Sequence, residues 1–207
     1  MTFEVHHKVE AHPDTSLPDP HQDTFVRNTL GFWIYLMTDC LIFASLFVTY
    51  AVLHNETFGG KSSRELFNLS LAFKETLVLL LSSVTCGFAI LSSLLLKKKR
   101  VICWLIVAFL FGASFVGMEI CEFVRFVQEG DSWDKSAFLS SYFTLVGTHG
   151  FHVSVGLLWM IVMMGQIYAR GITIFTFRRL IIFGMFWHFL DLVWIFIFTF
   201  VYLMGVT

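Results

Sequence analysis

The chain has 207 residues, of which 57% are hydrophobic and only 14% are charged. Soluble globular domains carry about 25% charged residues, so this composition excludes an ordinary soluble domain. The formal net charge of −1 gives no basis for binding nucleic acid. The composition therefore predicts a chain whose main solvent is lipid.

The N-terminal segment, residues 1–28, is polar and holds all three prolines of the chain. We predict that it is a flexible tail and that residues 29–207 form one transmembrane domain. A cleaved signal starts with basic residues followed at once by an apolar core, a pattern that this segment lacks. Four histidines of the tail are expected to be solvated, with weak metal capture as the alternative: His6, His7, His12 and His21.

Five later segments are long and apolar enough to cross a membrane, which requires about 20 mostly apolar residues. The predicted fold class is therefore all-α, a polytopic membrane protein built as a bundle of five transmembrane helices. The fourth segment is long enough to tilt or to protrude. The predicted spans are approximately Gly31–Leu53, Ala72–Leu96, Val101–Glu122, Phe138–Tyr168 and Leu180–Gly205.

The distribution of basic residues predicts the orientation, because Lys and Arg concentrate in cytoplasmic connections. With five spans, the N-terminal segment and the second and fourth connections share one side, which holds nine of the basic residues. The other side holds five. The Lys-Lys-Lys-Arg run at 97–100 contributes most of the difference. The N-terminus is therefore predicted in the cytoplasm and the C-terminus outside.

Eight ionisable residues fall within or at the ends of these spans. Such groups are costly in hydrocarbon, so they tend to face other helices and find partners there. Six of them form three pairs spaced i, i+3, which places each pair on one face of its helix. Glu119 and Glu122 are expected to close the third helix. The eight candidate site residues are Asp39, Glu75, Glu119, Glu122, His149, His152, His188 and Asp191.

The rise of about 1.5 Å per helical residue predicts two polar layers from these positions. The first layer, in the middle to inner half of the bilayer, would contain Asp39, His152, His188 and Asp191. The second layer, near the outer face, would contain Glu75, Glu119, Glu122 and Arg125.

Two interpretations of the first layer remain open. Histidines together with carboxylates can bind haem iron or zinc, although His149 and His152 share one helix. The alternative, which we favour, is hydrogen bonding between buried helices. Asp39 likewise is either a proton carrier or a residue that ties helices together.

Small and aromatic residues indicate how the helices approach one another. Five glycines predict close helix or lipid contacts: Gly112, Gly117, Gly147, Gly150 and Gly156. Four tryptophans are expected near the membrane interfaces: Trp33, Trp104, Trp133 and Trp187. The four cysteines are expected to be packed free thiols: Cys40, Cys86, Cys103 and Cys121.

Four stretches resemble subunit III of the haem–copper respiratory oxidases, and the resemblance runs from about residue 30 to the C-terminus. Its bo-type branch, which oxidises ubiquinol, is the most similar. Cytochrome c oxidase relatives typically carry two further N-terminal helices, so the length of five helices favours that branch. The stretches are GFWIYLMTDCLIFASLFVTYAVL (31–53), FGASFVGMEICEF (111–123), GTHGFHVSVGLLWM (147–160) and FWHFLDLVWIFIFTFVYLMG (186–205).

The resemblance implies a non-catalytic subunit of a proton-pumping ubiquinol oxidase in the aerobic respiratory chain, located in the bacterial inner membrane with a periplasmic C-terminus. It implies no haem or copper on this chain, since subunit I holds them. The implied partners are subunit I in direct contact, subunits II and IV, and membrane phospholipids. The eight polar residues would be structural or lipid-associated. The position of Asp39 is a Glu in many cytochrome c oxidase relatives, close to a proton-uptake region.

Two other classes of protein remain as alternatives. A stand-alone haem-binding electron carrier would use His149, His152 or His188. A small transporter would use the polar layer, although the sequence lacks the inverted repeats that many transporters have.

Overall fold

The computed structural model describes residues 20–53, 69–128, 130 and 136–203, with the side chains of 20–24 left aside. The described part is all-helical, and five of its helices are long and apolar enough to cross a membrane. The helices are α1 (Pro20–Leu53), α2 (Leu69–Leu94), α3 (Lys98–Gln128), α4 (Ala137–Arg170) and α5 (Ile174–Ile197), which continues as a π-helix over Phe198–Leu203. The predicted fold class and the five predicted spans are confirmed.

The helix ends differ from the predicted ones where polar residues extend a helix. α1 begins at Pro20, a residue suited to a first turn because it has no N–H to satisfy. α3 continues to Gln128, so Glu119 and Glu122 lie inside it. The prediction that these two residues close the third helix is wrong. The predicted tail falls mainly on residues 1–19, which lie outside the described residues together with the side chain of His21.

Local signals fix the connections on the side where α4 ends and α5 begins. Gly171 ends α4 with a φ of 74°, a conformation that glycine adopts without strain. Thr173 then caps α5: its hydroxyl accepts from the Thr176 N–H, and the Thr176 hydroxyl accepts from the Thr173 N–H. This reciprocal capping box stabilises the first turn of α5.

The packing order of the helices differs from their order in the chain. α1 packs against α4 and α5, whereas α2 packs against α3 and α5; α4 also contacts α3 and α5. α5 packs on α1, α2 and α4, and it also reaches α3 through the ring contact of Trp194 with Phe115. It is buried over a larger share of its span than α1. The arrangement leaves α1 as a peripheral helix held mainly by elements that follow it late in the chain.

Trp187 forms a close contact between helices, whereas the sequence predicts it near a membrane interface. The indole is buried, and it lies where side chains at Gly112 of α3 and Gly156 of α4 would otherwise stand. A Cβ atom at either glycine would lie under 3.0 Å from the ring. Apolar packing among three helices therefore outweighs the usual interfacial preference of tryptophan. The close contacts predicted at these two glycines are confirmed.

The remaining glycines and cysteines give a mixed outcome. Gly150 lies against the Glu119 carboxylate and Gly147 makes ordinary contact with Phe123, whereas nothing lies within 4 Å of a Cβ at Gly117. All four cysteines are free, but only Cys86 is buried. Cys40, Cys103 and Cys121 are exposed on the apolar outer surface, where lipid or a partner covers them at no polar cost.

We expect Gly156→Ala to lower the free energy of unfolding by about 1–3 kcal/mol, because the added methyl group overpacks the bundle. Its Cβ would lie 2.8 Å from Trp187 Cζ3, and Gly112 holds the other side of that ring. Gly165→Ala, on the same helix with nothing within 4 Å, is the matched control and should be neutral or stabilising by up to about 1 kcal/mol. Reversible unfolding in mixed micelles measures both changes. Equal values would contradict the close packing of Trp187 between Gly112 and Gly156, which we call the glycine-lined seam.

Candidate functional site

The eight predicted site residues separate into three polar groups and one isolated histidine. The first group is a carboxylate–tyrosine cluster at the end of the bundle where α2 begins and α3 ends. The second is a pair between α1 and α4, and the third lies between α2 and α5.

The carboxylate–tyrosine cluster is centred on Glu122, which is buried. Its Oε2 atom accepts hydrogen bonds from the hydroxyls of Tyr142, at 3.2 Å, and Tyr202, at 3.0 Å. The two tyrosine hydroxyls are themselves 2.8 Å apart. Arg125 lies one helical turn beyond Glu122, with its Nη2 atom 3.8 Å from Oε1. Helices α3 and α4 and the π-helical segment thus converge on one carboxylate.

Two further carboxyl groups, those of Glu75 and Glu119, lie close enough to Glu122 for their charges to interact. Both are buried, at 0% and 3% exposure respectively. Arg125 supplies one positive charge beside these three acids. Because unbalanced charge is costly in a low-dielectric interior, the cluster is suited to holding shared protons between its carboxyl groups. The predicted outer group of Glu75, Glu119, Glu122 and Arg125 is therefore found in one place.

A groove of about 190 Å³ between α3 and α4 reaches one of these acids. Glu119 lies at its base against the backbone of Gly150, and the rings of Phe123 and Phe151 flank it. The small residues of α4 open this groove because they leave its backbone uncovered.

The pair between α1 and α4 joins Asp39 to His152. The Asp39 Oδ2 atom lies 4.0 Å from His152 Nε2, and His152 Nδ1 is 2.7 Å from the backbone oxygen of Thr148. If the Nδ1 atom carries the proton, it donates to Thr148, and Nε2 then faces the carboxyl group as an acceptor. Tyr35, one turn before Asp39, is within hydrogen-bonding reach of the same carboxylate. The pair is thus a local contact that holds α1 onto α4.

His149 stands apart in an aromatic enclosure. It is fully buried, stacks on Trp194 with ring centroids 5.3 Å apart, and meets the edges of Phe43 and Phe115. Neither ring nitrogen has a hydrogen-bond partner among the described residues. The surrounding rings leave this imidazole in an apolar site, which favours its neutral form on general grounds of desolvation.

The third group links α5 to α2 through serine and threonine hydroxyls. His188 Nδ1 is 2.6 Å from Ser83 Oγ, and Asp191 also contacts Ser83. Next to this contact, Trp187 donates to Ser82, and about two turns away Trp194 donates to Thr76. The sequence analysis missed these hydroxyl partners, although Thr76 and Ser83, seven residues apart, lie on one face of α2.

The predicted shared layer of Asp39, His152, His188 and Asp191 is not formed. Asp39 and His152 contact each other, whereas the described polar contacts of His188 and Asp191 are with Ser83 and with one another. The rise per residue gives the depth of a side chain along its helix. It does not give the face of the helix on which that side chain lies, which depends on how the helix is rotated. α5 turns these two residues toward α2 and away from α1.

The described ranges 20–53, 69–128, 130 and 136–203 contain no group of three or more His, Cys, Asp or Glu side chains arranged to hold a metal ion. Of the three histidines considered as iron ligands, His149 lies in the aromatic enclosure, His152 beside Asp39 and His188 beside Ser83.

The fold and these polar groups define a polytopic all-helical membrane protein whose buried acids and imidazoles pair between helices. The chain belongs to the cytochrome c oxidase subunit III family, whose sequence profile matches residues 16–206.

Three relatives show how widely this similarity extends. The chain is 52% identical to cytochrome bo(3) ubiquinol oxidase subunit 3 of Pseudomonas aeruginosa, covering 96% of this chain and 95% of the relative. It is 47% identical to quinol oxidase subunit 3 of Bacillus spizizenii, covering 94% and 96%. It is 44% identical to cytochrome c oxidase subunit 3 of a Bacillus species, covering 85% of each. That last relative has a length similar to that of this chain. A length of five helices therefore does not by itself distinguish quinol oxidase subunits from cytochrome c oxidase subunits.

Proposed function

We propose that this chain is the non-catalytic third subunit of a proton-pumping haem–copper ubiquinol oxidase, where it supports assembly, stability and lipid binding beside subunit I. The observation that carries the proposal is the similarity of 52% identity over nearly the full length to a ubiquinol oxidase subunit 3. In this proposal the haems and copper belong to subunit I, and subunits II and IV complete the complex. The eight ionisable residues then join helices and seat lipids without ligating a cofactor.

The polar groups support a structural role. Glu122 Oε2 accepts hydrogen bonds from two tyrosines, with Arg125 3.8 Å from Oε1, and Asp39 lies 4.0 Å from His152. Side chains used in this way hold helices together and have little freedom to ligate a metal. The large exposed apolar surface, which includes Leu41, Val52, Leu110 and Leu158, requires lipid or partner helices.

We further propose that the basic end of the bundle faces the bacterial cytoplasm. Lys98 Nζ donates to the backbone oxygen of Tyr168 at 2.7 Å, and Arg179 donates to Gln166 at 2.9 Å. The basic residues of the second and fourth connections therefore lie at one end, as the rule for cytoplasmic loops favours. Reporter fusions within 97–100 and at the C-terminus test this, and an external reporter at 97–100 would overturn it.

The experiment for the proposed function is to purify the oxidase from cells that lack this chain. We expect haem and copper to remain in the complex in unchanged ratio to subunit I, while the enzyme loses activity faster during turnover or assembles in lower yield. Re-expression of the chain should restore both properties. Electron donors are compared in the same preparation, with ubiquinol oxidised and reduced cytochrome c left unoxidised.

Two results would contradict the proposal. Loss of haem from an otherwise assembled subunit I would mean that this chain takes part in cofactor binding. A Soret band corresponding to one haem per chain, in the chain purified alone, would favour the alternative of a haem-binding electron carrier.

A further inference from the structure

The polar group between α2 and α5 lies at the middle of the membrane. The α5 span runs from Ile174 to Leu203, and His188 is at its midpoint. Ser83, which contacts His188, is close to the midpoint of Leu69–Leu94. With a hydrocarbon core about 30 Å thick, this places an imidazole and a carboxyl group about 15 Å from either set of lipid headgroups.

His188 differs in exposure from the other seven candidate site residues, and it is joined at the surface by Asp191. His188 is exposed and Asp191 is half-buried, whereas Asp39, the three glutamates and His149 are buried and His152 is paired with Asp39. The α2–α5 surface is therefore where ionisable groups of this set reach the outside of the bundle at mid-membrane depth.

The hydrogen bonds available within the chain do not satisfy this pair. His188 Nδ1 either accepts the one hydroxyl proton of Ser83 or donates its own proton to Ser83 Oγ, according to the tautomer. Ser83 and a neutral His188 together supply only two donors. The Asp191 carboxyl group has about four acceptor positions, and within the described residues its polar side-chain contacts are with Ser83 and His188. The surface is thus rich in acceptors and poor in donors.

Other exposed polar groups at similar depth are satisfied by their own helices. Thr38, Ser45, Ser114 and Ser154 each donate to a backbone oxygen three or four residues earlier. Such internal bonds let a hydroxyl face lipid at little cost. His188 and Asp191 have no comparable internal arrangement that accounts for their full hydrogen-bonding capacity.

Lipid is a poor cover for this surface, because acyl chains at the bilayer centre offer no hydrogen-bond donors. We propose that the α2–α5 face around His188 and Asp191 docks a transmembrane helix of another oxidase polypeptide, which presents a hydrogen-bond donor at mid-membrane depth. The surrounding Leu80, Val84, Leu192 and Ile195 are exposed apolar residues that supply the rim of this contact. The inference rests on the proposed function, since it requires a multi-subunit oxidase.

The test uses photo-cross-linking in the intact oxidase. Leu192, 53% exposed and one turn from His188, is replaced by benzoylphenylalanine, and Leu110 of α3, 61% exposed at a similar depth, serves as the matched control. We expect position 192 to give a cross-linked product with another oxidase polypeptide, identified by mass spectrometry, at several times the yield of position 110. Equal yields at the two positions, or lipid or quinol adducts alone at 192, would overturn the inference.

A second comparison separates polar docking from mere packing. The double variant His188→Leu with Asp191→Leu removes the acceptors, and we expect it to reduce retention of the chain in the purified oxidase by about threefold or more, the size expected for interhelical hydrogen bonds. The double variant His188→Gln with Asp191→Asn keeps polar groups and should be retained nearly as well as wild type. Improved retention of the leucine variant would indicate a lipid-facing surface and would refute the docking.

The two proposals fail in different ways. If the wild-type chain does not co-purify with a haem-containing polypeptide, the proposed function fails and the docking surface fails with it. If the wild-type chain co-purifies but position 192 gives no protein product above the control, only the docking surface fails.

Discussion

Trp187→Ala is expected to lower the free energy of unfolding by about 3–5 kcal/mol, the range for removal of a buried tryptophan. The indole fills the space between Gly112 and Gly156 and stacks on Phe183 with centroids 5.8 Å apart. Its Nε1 atom also donates to Ser82 Oγ at 3.2 Å. The two glycines have no side chains that could move into the cavity. Reversible unfolding in mixed micelles measures the change.

Two controls define what the tryptophan contributes. Trp187→Phe keeps a ring in the seam but removes the hydrogen bond, so it should recover more than half of the lost stability. Trp104→Ala removes a half-buried ring that packs on the exposed Phe88, and its effect should be well under half as large. A loss at position 104 equal to that at 187 would show that the glycine-lined seam is not special.

Glu122→Leu is expected to lower the free energy of unfolding by about 3 kcal/mol, since it removes a buried acceptor of two hydrogen bonds. Tyr142 and Tyr202 lose the oxygen to which both donate, and Arg125 loses a carboxylate 3.8 Å away. The loss should appear as a lower unfolding midpoint of the isolated chain and as lower yield of assembled oxidase.

Glu122→Gln is the matched variant, because its amide oxygen still accepts from both tyrosines at nearly the same size. We expect it to cost less than half as much as Glu122→Leu. Equal destabilisation by both variants would mean that the negative charge, and not the hydrogen-bond geometry, stabilises the cluster. No loss in either variant would contradict the role that we assign to Glu122.

Helix number and approximate position were predictable because length and hydropathy decide them. The bilayer sets the minimum length of a span, and the five apolar segments meet it without reference to any contact. The ends were less predictable: α3 runs past Glu122 to Gln128 because its polar residues find partners within the bundle. Pairwise packing of the helices was not predictable, since nothing in the spacing of apolar residues indicates that α1 packs on α4.

The candidate site shows the same division. The outer group of acids was predictable from depth alone, because Glu75, Glu119 and Glu122 lie near the same end of the bundle. Most rotations of α2 and α3 about their axes would keep these carboxyl groups close together. Tyr142 and Tyr202 were missed, although both lie near that end. The π-helical turn at Phe198–Leu203 contributes to this, since its wider winding changes the direction of Tyr202 relative to a regular helix.

The pairing of Asp39 with His152 bears on how the chain enters the membrane during synthesis. α1 is made first, whereas α4 and α5, the helices that cover it, are made last. Asp39 must therefore reach the bilayer while its imidazole partner is still to be translated, at an insertion cost of about 3 kcal/mol for an acid near the helix centre. The nascent first helix would consequently need shelter by the insertion machinery, or a shallow position near the headgroups, until the fourth helix emerges.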